Sequence, residues 1–310
     1  MKGNRCLSLT MFFAYALCDA SVLWGNPPER YSVRELRDPD LFAFLNSSWA
    51  GAELDEDRLN RLIPNILPSE EGWATEQLQV DEAMWIDLNN DRTKELAVTV
   101  SAAGPSGNVF IVIFFKSEPH ILVQMLPTYS GSTKDFQDMD HDGCIEIIVR
   151  EIVAWSTSRA ESTLFPSIYR WNGREYTESS ARYPAYYHGL RDRLAKQISD
   201  ISALNLAEMA KSDERNAEEL ARWKGLRIAD MKVALYRIEQ ILGDERSGFE
   251  QAVQWWASGE DNLKRNAVAV FEDIGDEESI KHLEQAAEDE DKIVSRRAKQ
   301  ALRRLQDSAE

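Results

Sequence analysis

"DMDHDGCIEI" (residues 138–147) sets aspartates at 138, 140 and 142, a glycine at 143, and Glu146 among apolar residues. Calcium takes about 6–8 oxygen ligands, and a tight loop can supply carboxylates from alternate residues. In that frame Asp138, Asp140 and Asp142 are positions one, three and five, the Cys144 carbonyl is position seven, and Glu146 is position nine. Gly143 stands where such a loop must turn sharply, a place suited to positive φ. The loop runs into the strand-like "IEIIV" rather than a helix, which excludes an EF-hand. A turn without an ion is the simpler reading, because Asp, Asn and Gly form turns unaided. Three carboxylates this close repel one another, however, and a cation relieves that repulsion.

A second stretch, "DLNNDRTKEL" (residues 87–96), repeats the frame with Asp87, Asn89, Asp91, the Thr93 carbonyl and Glu95, and again leads into a strand. It departs at Arg92, which takes the glycine place. An arginine there is strained if φ is positive, and its charge competes with a cation, so this loop is expected to be the weaker site.

Hydrophobic periodicity divides the chain. Residues 1–20 read as a signal peptide: Lys2 and Arg5, an apolar run, then small Ala20 before the expected cleavage. The mature protein is therefore expected to be exported, periplasmic or secreted. Leu17 before Cys18 is a poor fit to the motif a lipid anchor requires, and no later segment is long and apolar enough to span a membrane. Residues 21–80 read as a linker with short helices, including one near Leu54–Leu67. Residues 81–180 hold short runs rich in β-branched and aromatic residues, such as "ELAVTV" and "NVFIVIFF", separated by turn clusters. "YRWNGREY" suggests a hairpin with a two-residue Asn172-Gly173 turn. Short connections imply a mostly antiparallel sheet.

From residue 188 to 310 the period is helical and the sequence repeats. "MKVALYRIEQILGD" (231–244) matches "LKRNAVAVFEDIGD" (263–276), and "VSRRAKQALRRL" (294–305) begins a further copy. The expected fold class is multidomain α and β: a small antiparallel, propeller-blade-like β domain followed by a short α-solenoid.

The net charge of −17 excludes nucleic acid as a partner class. Its acidity concentrates in residues 1–180, with 27 acidic against 15 basic side chains, the half that carries the loops. Once the signal is removed Cys144 stands alone, so no internal disulfide can form. The four histidines lack metal-ligand spacing, and no nucleophile elbow, P-loop or dinucleotide fingerprint is present.

The paired "D-x-[DN]-x-D-x-x-x-E-[LI]" frames, each before a strand, resemble the FG-GAP or VCBS-type repeats of integrin-α-like propellers over residues 81–178. That resemblance implies one calcium per loop and a β-blade architecture, although this segment holds only about two blades' worth of strands. The "A..A/V...IGD...I..L" frame of residues 228–306 resembles HEAT-like repeats of phycobilin-lyase-type proteins and implies a scaffold. The resulting expectation is an exported, non-enzymatic calcium-binding scaffold whose helical repeats contact a protein partner. Two alternatives stand beside it: an exported hydrolase with its site in the β domain, and a carbohydrate binder using exposed Trp155, Trp171 or Tyr176; Glu151 and Glu161 could act as an acid and base only if the fold brings them together.

Overall fold

The computed structural model describes residues 32–67, 78–102, 108–129, 131–152, 162–211, 215–243 and 248–307. The segment expected to be a signal peptide, with Cys6 and Cys18, lies outside these residues, as do Trp155 and Glu161.

Two antiparallel sheets form the centre. In the first, β2 (Leu78–Ile86), β3 (Glu95–Ala102), β4 (Asn108–Ser117) and β5 (His120–Pro127) form a meander, with β1 (Arg34–Glu35) paired to the outer side of β5. The second is also a meander: β6 (Phe136–Gln137), β7 (Glu146–Ile152), β8 (Leu164–Trp171) and β9 (Tyr176–Glu178). The sheets share one plan. In each, an acidic stretch joins the first meander strand to the second, and a glutamate, Glu95 or Glu146, opens that second strand.

Alternation along each strand sends neighbouring side chains to opposite faces. Leu96, Val98, Phe110, Val112 and Phe114 pack against α1 (Pro39–Trp49) and α2 (Glu56–Leu62), through Leu41, Phe44, Leu45 and Leu59. Ala97, Ile111, Ile113 and Phe115 face the other way, into a core shared with Ile147, Val149 and Tyr176 of the second sheet. Phe165 and Ile168 join the second sheet to the helical core. The order of layers is helices, sheet, sheet, helices. The equivalent residues Leu96 and Ile147 both point toward the N-terminal side of the stack, so the two sheets are packed head to tail.

The N-terminal segment does more than link. Asp38 accepts a hydrogen bond from the Leu41 N–H at 2.8 Å and Pro39 occupies the first helical turn, which fixes the start of α1. The helix expected over 54–67 is shorter, because Pro64 has no N–H to donate and the chain tightens into a 3₁₀ turn at Ile63–Asn65. The β8–β9 connection also differs from expectation. Trp171 pairs with Tyr176, so the loop has four residues. Asn172 Oδ1 accepts from the Arg174 and Glu175 N–H groups, and Gly173 takes φ +97°. That side-chain cap stabilises a wider loop than the two-residue turn.

Among the described residues seven further helices follow: α3 (Pro184–Ser202), α4 (Leu206–Met209), α5 (Ala217–Ile241), α6 (Phe249–Ala257), α7 (Asp261–Ile274), α8 (Glu277–Ala287) and α9 (Lys292–Asp307). Helix α3 packs on α5, α5 on α7, and α7 on α9, while α6 contacts α7 and α8 contacts both α7 and α9. The residues matched by the internal repeat occupy matching environments. Ile238 and Val270 are both buried, as are Ala267 and Ala298, and Gly243 and Gly275 both have positive φ. Gly275 ends α7, and Asp276 then caps α8 by accepting from the Ser279 N–H at 2.8 Å.

Candidate metal centre

Both acidic loops fold the same way, atom for atom in their main contacts. At position one, Asp87 Oδ2 accepts from the Arg92 N–H at 3.0 Å and Asp138 Oδ2 from the Gly143 N–H at 3.2 Å. At position five, Asp91 Oδ1 accepts from the Thr93 N–H at 2.7 Å and Asp142 Oδ1 from the Cys144 N–H at 2.9 Å. The closing glutamates reach back to position two: Glu95 Oε2 accepts from Leu88 N–H at 2.7 Å, Glu146 Oε2 from Met139 N–H at 2.8 Å. Positions four and six have positive φ in both loops, Asn90 and Arg92 in one (+61° and +71°), His141 and Gly143 in the other (+61° and +89°). Arg92 adopts the positive φ that strains an arginine, and the turn forms nonetheless. The Arg92 N–H donates to Asp87, and the Leu88 N–H to Glu95, and these two bonds hold the turn with Arg92 in the left-handed region.

The first aspartate of each loop leaves its second oxygen, Asp87 Oδ1 or Asp138 Oδ1, buried without a hydrogen bond. Glu146 Oε1 is likewise buried without one, on a side chain that is 0% exposed. Such oxygens are costly to leave unmatched, because burial removes their water. Oxygens of Asp138, Asp140 and Glu146 lie within 4.8 Å of one another, close enough to share one ion. Asp142 stands apart from that group and is engaged by Arg170. Asn89 and Thr93 serve the first loop through its turn: Asn89 Oδ1 accepts from Asp91 N–H, and Thr93 donates its N–H to Asp91.

Electrostatics follow from this burial. Desolvation pushes the Glu95 carboxyl up to about 7, the Leu88 N–H working against it and Asp91 and Asp87 adding to the rise. Burial also raises Glu146, opposed by the Met139 N–H. The Cys144 N–H holds Asp142 below the usual carboxylate range. For Cys144 the thiol is raised, first by burial and then by Asp142.

The two loops touch. Ile145 donates its N–H to the Leu88 carbonyl at 2.8 Å, and Cys144 Sγ lies 3.5 Å from the Asn89 carbonyl oxygen. The Tyr176 hydroxyl sits 3.1 Å from the Leu88 carbonyl and 3.0 Å from that of Ile145, its single proton shared between them. Tyr176 is 2% exposed, which removes it from any exposed sugar platform. Trp171 packs beside it, with ring centres 5.0 Å from Phe115 and 5.6 Å from Tyr176.

Sequence reasoning missed Arg170 and Tyr183, and put Tyr176 on an exposed surface instead of between the loops. Arg170 on β8 reaches over the second loop: its Nη2 pairs with Asp142, and its Nε lies 3.5 Å from both Asp140 Oδ2 and Glu146 Oε1. Tyr183 stands beside Glu146, which raises its hydroxyl after burial does. None of the three falls within the loop motif; strand register brings Arg170 and Tyr176 there, and the turn into α3 brings Tyr183. Glu151 is paired with Arg237 at 3.6 Å and accepts from the Ser167 hydroxyl at 3.3 Å. Trp255 is in the helical core, and Trp256 is partly buried with the Lys264 ammonium 5.6 Å from its ring centre.

No family model, curated protein or solved structure matches this chain.

Proposed function

We propose that the protein is an exported calcium-binding scaffold without catalytic activity, which meets a protein partner through its helical repeats. One observation carries the calcium reading: two loops separated in sequence share the same turn, and each leaves the same aspartate oxygen buried and unbonded. In the second loop Asp138, Asp140 and Glu146 would supply carboxylate oxygens, with the Cys144 carbonyl and water completing the shell and Asp142 held at its rim by Arg170. In the first, Asp87, Asn89, Asp91, Glu95 and the Thr93 carbonyl are the corresponding set.

The architecture supports the two family resemblances without a sequence match to either. Two four-stranded meanders, each with its acidic loop between the first two strands, fit an FG-GAP-like blade pair. Matching burial at Ile238 and Val270, and at Ala267 and Ala298, fits HEAT-like stacking of α5, α7 and α9 in a short solenoid. The absence among the described residues of a helix long and apolar enough to cross a membrane fits the partner reading no more closely than it fits others.

Calcium titration followed by thermal melting tests the ion. Binding to the folded state alone raises the melting temperature by mass action, and chelator reverses it. Asp140→Asn should remove the part of the shift due to the second loop. A wild-type melting temperature indifferent to calcium defeats the reading.

A further inference from the structure

The two loops share a backbone but not a charge environment. Arg170 lies across the second with three carboxylates around its guanidinium: Asp142 at Nη2, and Asp140 and Glu146 each 3.5 Å from Nε. Its side chain is 19% exposed, and Nε donates no hydrogen bond of good geometry. Two of the three oxygens that an ion would use, on Asp140 and Glu146, are therefore the ones a protein cation already attends. Among the described residues no ion pair is formed by Asp87, Asp91 or Glu95, although that loop has its own Arg92 turned to solvent.

We propose that Arg170 is a tethered cation that competes with calcium for the Asp138–Glu146 loop and sets the affinity of that loop. This rests on the calcium reading above. An ion bound to Asp138, Asp140 and Glu146 would lie within a few ångströms of the guanidinium, and like charges that close repel strongly in a half-buried setting. The geometry provides the way out. Nε contacts the inner carboxylates Asp140 and Glu146, whereas Nη2 contacts the exposed Asp142 at the rim. A small rotation of the side chain withdraws Nε and keeps the rim contact. Without calcium the arginine offsets the mutual repulsion of the carboxylates, so the empty loop keeps its fold. With calcium the ion takes over that role, and the arginine moves outward. The loop is thereby tuned to fill only at high calcium, such as prevails outside cells, in spite of its favourable glycine.

The test is isothermal calorimetry of calcium binding to the full chain, with Asp140→Asn used to identify the heat of the second loop. Arg170→Gln should tighten that loop by at least tenfold, and Arg170→Lys, which keeps the charge, should stay within about threefold of wild type. In chelator Arg170→Gln should melt below wild type, and calcium should recover it by a larger shift than wild type shows. If wild type binds calcium and Arg170→Gln binds equally or more weakly, the competitor role is refuted while the calcium reading stands. If neither wild type nor Arg170→Gln binds calcium, the calcium reading itself fails. Should Arg170→Gln not fold, an Arg170→Lys protein whose affinity departs from wild type by tenfold or more in the weaker direction also overturns the proposal.

Discussion

Arg92 and Gly143 hold the same place in two superposable turns, both with left-handed φ, +71° and +89°. Their surroundings differ. A Cβ at Gly143 would overlap the Asn90 side-chain amide, 3.0 Å from its Cγ, where the two loops meet. Gly143→Ala combines that overlap with an unfavourable φ and should cost about 2–3 kcal/mol in denaturant unfolding. Arg92→Gly removes strain of about 1 kcal/mol but adds chain entropy of similar size, so stability should change by less than ~1 kcal/mol. Equal losses at both positions would contradict the contact seen at Gly143.

Tyr176 ties the loops together through one hydroxyl. Tyr176→Phe should cost about 1–2 kcal/mol, since the Ile145 carbonyl loses its partner while Leu88 keeps the Ile145 N–H. The same variant should weaken calcium binding at both loops, not one, when the two are separated with Asp140→Asn and Asp87→Asn. An effect confined to the second loop would show that the hydroxyl does not couple them.

Glu95 predicts a pH dependence whose sign is unusual for a carboxylate. Its folded pKa, about 7, lies above its unfolded one, so between roughly pH 4.5 and 7 the folded state binds more protons than the unfolded chain. The contribution is fully present below about 4.5 and is lost as pH rises through 7. In chelator, wild type should therefore lose on the order of 2–3 kcal/mol relative to Glu95→Gln between pH 5 and 7.5. Saturating calcium should abolish the difference, because the ion supplies the charge that the proton supplied. A wild-type protein that gains on Glu95→Gln as pH rises in chelator would overturn the assignment.

The seam between sheet and helices carries an ion triad. Arg237 Nε donates to Asp273 Oδ2 at 2.8 Å and Nη2 to Oδ1 at 3.3 Å, while Nη1 lies 3.6 Å from Glu151 on β7. Burial raises Glu151, and Arg237 opposes that rise. Arg237→Met should cost about 3 kcal/mol, because Glu151 and Asp273 are then left without their cation. Adding Glu151→Leu should recover at least 1 kcal/mol, and a double-mutant cycle with no coupling would refute the pairing.

How much of this could be read beforehand depends on whether the cause was local. The acidic frames were legible because their ligand spacing is a property of ten residues, and the strands because alternation and β-branching mark them. The repeat at Met231 and Leu263 was legible because identical turns recur with Gly243 and Gly275. What stayed hidden depends on partners far apart in the chain. Helix α1 reads weakly, since its apolar face is short and its capping Asp38 sits among other charges. Arg170 is one arginine in a strand until register places it over residues 28–30 positions earlier. That the turn forms despite Arg92 was not legible, because the carboxylates of Asp87 and Glu95 hold it from both ends.

The head-to-tail order of the two sheets has a consequence for where the chain can be cut. A face-to-face sandwich closes on itself, because both apolar faces are used up. In a stack, the first sheet keeps one apolar face open and the second keeps another, and each open face resembles the one that the neighbouring sheet already accepts. Among the described residues, α1 and α2 at one end, and the helical core at Phe165 and Ile168 at the other, stop the series. A fragment limited to β2–β9 would carry complementary sticky ends and would be expected to add copy upon copy into filaments. The helices at either end thus act as terminators, and the β region is a segment of an open polymer held to a length of two.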